Sequence, residues 1–240
     1  IIASCDSSIY NYGRDYYSYV WPRDGAYVIW PLIKLGYKHE PKAFFTFCAS
    51  ILTNRGYLMH KYQPDRAIGS TWHPLIHGKR KELAIQEDET ASVIIMLGEY
   101  LKESNDVEFV QSLYETFVKP AANFMAHFID EPTKLPHASY DLWEEKFLTS
   151  TYTVAVTHKA LLVACEIADV LGHGDDKTDW TQTADMINNQ SDALFSTETN
   201  SYIKGFLHTS ETHETDFTVD VSSLYATFMF NYGREEHISS

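Results

Sequence analysis

Cysteine is scarce in this 240-residue sequence, and long hydrophobic runs are missing. The three cysteines, Cys5, Cys48 and Cys165, are widely separated and form no C-x-x-C pair. An odd, scattered set indicates neither a disulfide framework nor a thiolate zinc site, so we predict small buried apolar side chains. The longest clean apolar stretches, such as residues 93–97, are far shorter than the ~20 residues that span a bilayer. We therefore predict no membrane-spanning segment in this sequence.

Positive charge is also in short supply. Lys and Arg number 19 against 33 Asp and Glu, which gives a formal net charge of −14 at pH 7. A surface of this sign repels phosphate backbones and anionic lipid headgroups. The balance excludes nucleic acid and membrane surfaces as expected partners. The 44% of hydrophobic residues is nevertheless enough for a folded globular core.

Several motifs that mark cofactor-dependent or metal-dependent enzymes are absent. The sequence contains neither G-x-G-x-x-G nor the P-loop G-x-x-x-x-G-K-[ST], and it has no G-x-S-x-G nucleophile elbow. It has 11 histidines but no H-E-x-x-H, and the pair His73 and His77 flanks Pro74 in a predicted loop. We therefore predict no cofactor and no metal site.

What the sequence does contain is helical periodicity. Apolar residues between positions 106 and 128 recur at steps of three or four, the spacing of one helical face, and Pro120 is expected to kink or divide that helix. A Gly-, Pro- and His-rich segment, residues 57–84, is predicted to be a functional loop, with short hairpins at 57–62 and 201–206. We predict one all-α domain of about seven helices: residues 24–35, 41–53, 90–102, 106–128, 151–171, 179–195 and 220–230.

The strongest candidate for chemistry is the acidic cluster Asp-Leu-Trp-Glu-Glu at residues 141–145. Two adjacent carboxylates, Glu144 and Glu145, can divide the work there: one protonates a leaving oxygen, while the other accepts hydrogen bonds from the substrate. The indole of Trp143 would exclude water and favour the neutral acid. The alternative is that these are solvated acids at the start of the following helix, where negative charge is favoured. Composition alone leaves both interpretations open.

Two further clusters carry candidate binding groups. Arg23 and Asp24 offer donors and an acceptor that suit vicinal sugar hydroxyls, and Trp21 can stack on a sugar ring. The alternative for Asp24 is a helix cap. The third cluster, residues 86–90, stands at a predicted helix start, where capping and the helix dipole already account for carboxylates.

Six segments, taken together and in this order, resemble the prokaryotic, glucoamylase-like branch of glycoside hydrolase family 15. One segment alone is only moderately specific, but the set extends from residue 19 to residue 161. The segments are YVWPRDGAY (19–27), GYLMHKYQPD (56–65), GSTWHP (69–74), QEDETA (86–91), DLWEE (141–145) and YTVAVTHKAL (152–161).

The resemblance implies a fold, an activity and a set of site residues. The expected fold is an incomplete all-α (α/α)6 barrel, about seven of its twelve helices, with small β-hairpins on the loops. The implied activity is inverting release of glucose from the non-reducing ends of α-glucans or glucose-containing oligosaccharides, with no cofactor. Glu144 is implied as the general acid. The implied substrate-binding residues are Trp21, Arg23, Asp24, Trp72, His73, Glu87, Trp143 and Glu145.

Inversion also needs a base, a second carboxylate about 6.5–9.5 Å from the acid. The resemblance places that glutamate beyond residue 240, so we expect residues 1–240 to be one catalytic-domain fragment without its C-terminal helices, inactive alone. Asp88 and Asp220 are weak candidates within the sequence, because a position at a helix start explains each. A trehalose hydrolase and a glucodextranase of the same family are the alternatives in specificity. A non-catalytic sugar-binding regulatory module is the alternative from another class.

Overall fold

The computed structural model describes residues 18–71, 73, 76–77, 79–208 and 213–234. Helices dominate this part of the chain, as the periodicity predicts. A π-helical segment, Tyr114–Val118, and short 3-10 turns at Gly174–Lys177, Ser191–Leu194 and Val221–Ser223 complete the helical structure. The α-helices are α1 (Pro22–Lys34), α2 (His39–Ile51), α3 (Glu87–Ser104), α4 (Val107–Leu113), α5 (Lys119–His127), α6 (Thr151–Leu171), α7 (Thr178–Asn188) and α8 (Leu224–Phe228).

The helices alternate between two layers along the chain. Helices α1, α3, α6 and α8 stand side by side in that order, while α2, the α4–α5 segment and α7 pack on their outer side. The first three turns of α3 and most of α6 are buried on every side, as expected for helices in the middle of the inner layer. Helices α3 and α6 pack closely, since a Cβ added to Gly98 would lie 2.2 Å from Cγ1 of Val163.

The helix that contains Pro120 is neither divided nor interrupted by a loop. Helical structure runs from Val107 to His127, and the π-helical segment Tyr114–Val118 ends one residue before Lys119, the first residue of α5. Pro120 therefore occupies the second position of α5, where a missing N–H matters least. The wider π-helical turn before α5 accommodates Pro120, where the sequence analysis expects a kink or a break.

The last two predicted helices are shorter than their apolar spacing suggests. Helix α7 ends at Asn188, and Phe195 instead pairs with Tyr202 in a two-stranded ribbon. The segment 220–230 begins with a 3-10 turn, because the Asp220 side chain accepts the N–H of Ser222 and caps that turn. Only Leu224–Phe228 is α-helical there.

Short antiparallel strands occur in the loops between the helices, and two of them flank the turn that contains Glu144. The largest sheet among the described residues contains β5 (Ser139–Tyr140), β6 (Phe147–Ser150), β9 (Gly205–His208) and β10 (His213–Asp216), in the order β10-β9-β6-β5. Gly205 permits the close approach of β9 to β6, since an added Cβ would lie 2.2 Å from the Thr149 carbonyl oxygen. The two-stranded ribbons are β1 (Ile76–His77) with β2 (Arg80–Lys81), β3 (Ile129–Asp130) with β4 (Leu135–Pro136), and β7 (Phe195–Ser196) with β8 (Ser201–Tyr202).

Apolar side chains are exposed where the inner layer ends. Val219 and Phe228 are 82% and 70% exposed, and Val221 and Leu224 beside them are more than half exposed. Large apolar side chains that cluster at one edge mark a surface that a folded protein normally covers. No helix among the described residues is both long enough and apolar enough to cross a membrane.

Candidate active site

An antiparallel bridge between Val20 and Tyr62 brings two of the resembling segments together. The Val20 N–H donates to the Tyr62 carbonyl at 2.8 Å, and the Tyr62 N–H returns the bond at 2.9 Å. Four residues before Tyr62, the Leu58 N–H donates to Oγ1 of Thr90 in α3 at 2.9 Å. These bonds lay residues 58–62 along the start of α1, so that His60 lies next to Trp21.

His60 is the point at which the candidate site converges. Its Nε2 atom lies 3.0 Å from Oε1 of Glu144 and accepts the indole N–H of Trp21 at 3.1 Å. Its Nδ1 atom lies 3.2 Å from Oε1 of Glu89. The imidazole is 3% exposed, and its ring centre is 4.8 Å from that of His73. The structure thus brings Trp21, Glu144 and His73, which lie far apart in the sequence, around one buried ring.

Arg23 ties α1 to α3 below this cluster. Its Nη1 atom donates to Oδ2 of Asp88 at 2.8 Å and to Oε1 of Gln86 at 3.4 Å, and its backbone N–H donates to Oε2 of Glu89 at 2.6 Å. Burial opposes the guanidinium charge, but Asp88 and Glu89 outweigh it, so the pKa of Arg23 is raised. Glu89, from a neighbouring helix, therefore satisfies an N–H in the first turn of α1, where no side chain of α1 caps it.

Asp24 is exposed in the first turn of α1 and does not cap it. The N-cap residue is Trp21 and Pro22 follows as the first helical residue, so the capping interpretation of Asp24 is wrong. Trp21 is half-buried, with the ammonium of Lys61 5.6 Å from its ring centre. Ligand binding by Asp24 and Trp21 stays a prediction, whereas the described contacts of Arg23 link two helices.

Residues 141–146 form the turn of a β-hairpin rather than the start of a helix. The Asp141 N–H donates to the Lys146 carbonyl at 2.9 Å, and Oδ1 of Asp141 accepts the N–H of Glu145 at 2.8 Å. Helix α6 begins only after β6, with Ser150 as its N-cap. The interpretation of these acids as solvated helix-start residues is therefore wrong, because their chain segment leads into a strand.

Glu144 has a left-handed backbone conformation inside this turn. Its φ angle is 60°, and its N–H donates to the Asp141 carbonyl at 2.9 Å. A non-glycine residue in this region costs about 1–2 kcal/mol, and such strain is concentrated at functional sites. The side chain is one-third exposed and reaches Nε2 of His60. The turn thus presents the carboxyl group to both solvent and the buried imidazole.

Lys204 anchors the turn from below. Its Nζ atom lies 2.7 Å from Oδ2 of Asp141, 3.1 Å from Oδ2 of Asp220 and 3.4 Å from Oε2 of Glu145. Burial disfavours the ammonium, but the hydrogen bonds to Asp141 and Asp220 outweigh it, and the pKa of Lys204 is raised. The lysine is 3% exposed, so its charge is satisfied by these carboxylates rather than by water.

The sequence analysis expects Trp143 beside the acid, Glu144, but the structure places its indole against Asp220 in the ion cluster of Lys204. Its indole N–H donates to Asp220 at 2.9 Å, and the side chain is 51% exposed. Although burial acts in the opposite direction, the hydrogen bonds from Trp143, Ser222 and Lys204 lower the pKa of Asp220. The indole that shares a contact with Glu144 is Trp21, through His60. The expected shielding of Glu144 by Trp143 is thus not what the described contacts provide, and Glu145 is also largely exposed.

His73 is buried beside His60. Its Nδ1 atom lies 2.9 Å from Oγ1 of Thr71, and its ring centre is 5.5 Å from that of Tyr140. Burial, together with His60, Arg23 and Lys61, lowers the pKa of His73 to about 4, so its imidazole is neutral at physiological pH. Trp72, the neighbouring candidate, lies outside the described residues.

Glu87 is a buried acid in the first turn of α3. It is 2% exposed, and burial raises its pKa to about 8. A carboxyl group with this pKa is mostly protonated at pH 7. Glu87 is therefore an interior residue, and its contact with substrate remains a prediction.

We expect Glu87→Gln to make stability less dependent on pH. Between pH 4.5 and about 8 the folded protein keeps a proton that the unfolded chain has lost, so each rise in pH favours unfolding over this window. Glutamine removes that penalty, worth about 3 kcal/mol between pH 5 and pH 8, or roughly 6–12 °C in Tm. Thermal unfolding at the two pH values measures it.

The matched control is Glu108→Gln at an exposed position in the first turn of α4. Its Tm difference from the wild type should be the same at both pH values. Equal differences for Glu87→Gln at pH 5 and pH 8 would contradict the assignment of a raised pKa to this buried acid.

A cavity of about 490 Å³ borders the acidic turn on its far side. Tyr202, Leu224 and Thr227 line it, and so does Asp220, which also holds the indole of Trp143. This cavity is therefore not centred on His60 but lies beside Asp220, which holds the indole of Trp143. It is mostly apolar in its lining and ends at the exposed edge near α8.

One group with metal-like spacing occurs in the described residues, and it lies away from this site. Glu115, His173 and Asp176 place their ligand atoms within 4.8 Å of one another. Asp176 is paired with Lys119 at 2.9 Å and accepts a hydrogen bond from Tyr114. This carboxylate is thus already balanced by an ammonium, and the group has no connection to Glu144.

Three residues of the site were not singled out by the sequence analysis: His60, Glu89 and Lys204. His60 and Glu89 stand inside two of the resembling segments, GYLMHKYQPD and QEDETA, and this inclusion is the one signal that marks them. No local pattern marks Lys204, which lies between β8 and β9 and reaches Asp141 across 63 residues of sequence.

The helices stand in two layers, and the acidic turn lies against an imidazole that also contacts an indole. The family described as glycosyl hydrolases family 15 matches residues 1–231. The chain belongs to glycosyl hydrolases family 15. An uncharacterized glycosyl hydrolase of Methanocaldococcus jannaschii is 26% identical over 215 residues, which are 90% of this chain and 31% of that protein.

Solved structures confirm the fold. A glucoamylase from Saccharomycopsis fibuligera superposes with a TM-score of 0.61 at 19% identity, over 79% of this chain and 43% of the other. A bacterial glucoamylase complexed with acarbose gives a TM-score of 0.57 at 20% identity, over 87% of this chain and 30% of the other. The predicted incomplete (α/α)6 barrel is therefore right. The chain spans about a third of the curated relative and less than half of either solved chain.

Proposed function

We propose that this chain is part of an inverting α-glucosidase of the glucoamylase type, which releases glucose from the non-reducing ends of α-glucans. One observation carries the proposal: the carboxyl group of Glu144 lies 3.0 Å from a buried imidazole nitrogen that also accepts the indole N–H of Trp21. A partly exposed acid against aromatic walls is the arrangement that a glycosidase uses to protonate a leaving oxygen. Both glucoamylases that share this fold add support.

In the proposed reaction, Glu144 donates its proton to the glycosidic oxygen as the bond to the anomeric carbon breaks. Water attacks that carbon from the opposite face, and a second carboxylate takes its proton. Asp24 accepts hydrogen bonds from sugar hydroxyls, and Trp21 packs on the ring. No electron transfer or external group is needed, since the two carboxyl groups balance the protons.

The second carboxylate is proposed to come from a part of the protein outside these 240 residues. Asp88 pairs with Arg23 at 2.8 Å, and Asp220 is shared between Lys204 and Trp143. A base that activates water needs an unoccupied oxygen facing the site. These contacts weigh against both residues as the base. They fit a chain that supplies the acid half of a single catalytic domain, with further helices covering the exposed edge at α8.

Substrate specificity is tested with the protein that contains this chain and the rest of its catalytic domain. We expect glucose release from maltose and soluble starch at least about tenfold faster than from isomaltose or trehalose, with β-glucose as the first product detected by proton NMR. Exclusive action on trehalose would assign a trehalose hydrolase, and preference for isomaltose a glucodextranase. Binding of maltose without any hydrolysis would assign a regulatory module instead.

A further inference from the structure

The segment from Asp216 to Asp220 is fastened at both ends to the turn that carries the candidate acid. At the first end, Oδ2 of Asp216 lies 2.7 Å from Nζ of Lys146, and the Asp216 carbonyl accepts the N–H of Lys204 at 3.0 Å. At the second end, Asp220 pairs with Lys204 at 3.1 Å and accepts the indole N–H of Trp143 at 2.9 Å. The segment therefore has a fixed place beside that turn.

Phe217 is the exposed aromatic side chain of segment 216–220, with 64% of its surface in contact with solvent. Oδ1 of Asp216 accepts both the N–H of Thr218 at 3.0 Å and its hydroxyl at 2.6 Å, which holds the backbone on both sides of Phe217. The cavity of about 490 Å³ has Val219 in its lining but not Phe217, so Phe217 is set apart from the exposed edge at α8. Phe217 is thus an apolar surface presented to solvent by a fixed backbone.

Glu144 lies between this segment and the residues proposed to bind the terminal glucose. Its carboxyl group is 3.0 Å from Nε2 of His60, which also contacts the indole of Trp21. The indole of Trp143 donates to Asp220 instead. A general acid protonates the oxygen between two sugars, so one sugar lies on each side of it. With the terminal glucose on the Trp21 side, the departing sugar faces Trp143 and the segment that follows β10.

The chemistry of Phe217 and its neighbours suits a glucose ring. The faces of a pyranose carry C–H groups and its rim carries hydroxyl groups, so the ring packs on an aromatic side chain while its rim needs hydrogen-bond partners. Phe217 offers the aromatic surface. The carboxylate of Glu145 offers acceptors, since its side chain is 64% exposed and its contact with Lys204 is as long as 3.4 Å.

We propose that Phe217 is the platform for the departing sugar, the glucose unit that leaves with the oxygen protonated by Glu144. The inference rests on the proposed function and deepens it, because it assigns a binding residue on the leaving-group side of the bond. Phe217 takes no part in proton transfer. It packs on the second ring of maltose or of a longer α-glucan, and it has no ring to bind in a substrate whose leaving group is a single atom.

The proposal is tested by Phe217→Ala in the protein that contains this chain and the rest of its catalytic domain. KM for maltose and maltotriose should rise about fivefold to tenfold, with kcat changed less than about twofold, because ring packing binds ground state and transition state alike. KM for α-glucosyl fluoride should stay within about twofold. Phe217→Tyr keeps the aromatic surface and should keep KM, whereas Phe217→Leu keeps apolar character without a flat ring and should resemble Phe217→Ala.

The matched control is Tyr37→Ala, which removes an aromatic side chain that is 52% exposed beyond the end of α1. Its KM values should equal those of the wild type. Equal rises of KM for maltose and for the fluoride in Phe217→Ala would overturn the proposal, because the loss would not depend on a departing sugar. An unchanged KM with a lowered Tm would also overturn it and would assign Phe217 to packing against another part of the protein.

A binding measurement separates this inference from the proposed function. In a Glu144→Gln background, the Kd of maltotriose from isothermal titration calorimetry should rise about fivefold to tenfold when Phe217→Ala is added. An unaltered Kd in a protein whose wild type hydrolyses maltose would overturn the inference and leave the proposed function standing. A weakened Kd in a protein whose wild type hydrolyses no α-glucoside would refute the proposed function and leave the sugar platform. Absence of maltotriose binding in both variants would overturn the inference as well.

Discussion

Replacement of Glu144 by Gln is expected to lower kcat on maltose by about 10²–10⁴-fold, the usual contribution of a general acid. The amide keeps the size and polarity of the side chain but has no proton to give at the moment of bond cleavage. KM should change less than about threefold, because the binding contacts at Trp21 and Asp24 are not altered. Steady-state kinetics of the full protein on maltose gives both constants.

The neighbouring carboxylate provides the control for this prediction. Glu145 lies in the same turn, is 64% exposed at its side chain and faces Lys204 at 3.4 Å rather than His60. Glu145→Gln should raise KM while most of kcat remains, as expected for a group that binds substrate without transferring a proton. Equal losses of kcat in the two variants would show that the turn as a whole, and not the carboxyl group of Glu144, is what matters.

Replacement of Lys204 by Met is expected to cause the largest loss of stability. The change leaves Asp141 and Asp220 buried with no cation between them, and breaking a buried ion pair from one side costs about 3–5 kcal/mol. For a chain of this size that corresponds to a fall in Tm of roughly 10–15 °C. Chemical or thermal unfolding of the wild type and the variant, followed by circular dichroism, measures the difference.

Two comparisons isolate the buried charge as the cause. Lys134→Met breaks an exposed pair with Glu131 and should cost less than about 1 kcal/mol. Adding Asp220→Asn to Lys204→Met should recover part of the loss, since one unpaired carboxylate is removed. Additive losses in the double variant, or a loss for Lys204→Met no larger than that for Lys134→Met, would contradict the account of Lys204 as the anchor of the turn.

The sequence predicts the helices well because helical burial is a local property. The apolar spacing in residues 90–102 and 151–171 is set by the contacts of α3 and α6 within the inner layer, and both helices form there. The same criterion extends α7 to Phe195, although that side chain is used in a strand pair with Tyr202. Spacing reports that a residue is buried, but not which element buries it.

The site is harder to predict than the helices, because contacts between residues far apart in the sequence build it. Glu144, Trp21 and Arg23 are predicted from chemistry-bearing clusters and a family resemblance, and the first two meet at one imidazole. That imidazole reaches its place through the Val20–Tyr62 bridge, and the turn of Glu144 is held by Lys204, which lies between β8 and β9. Neither contact leaves a periodic signal in the sequence. The same limit explains why the sequence does not reveal that residues 141–146 form a hairpin turn.

The role of Glu144 is tested most directly by the dependence of its variant on the leaving group. Maltose requires protonation of a departing sugar oxygen, whereas α-glucosyl fluoride releases fluoride with little need of an acid. The account predicts that Glu144→Gln loses about 10²-fold or more of kcat on maltose but less than about tenfold on the fluoride. Losses of the same size on both substrates would contradict the assignment of Glu144 as the proton donor.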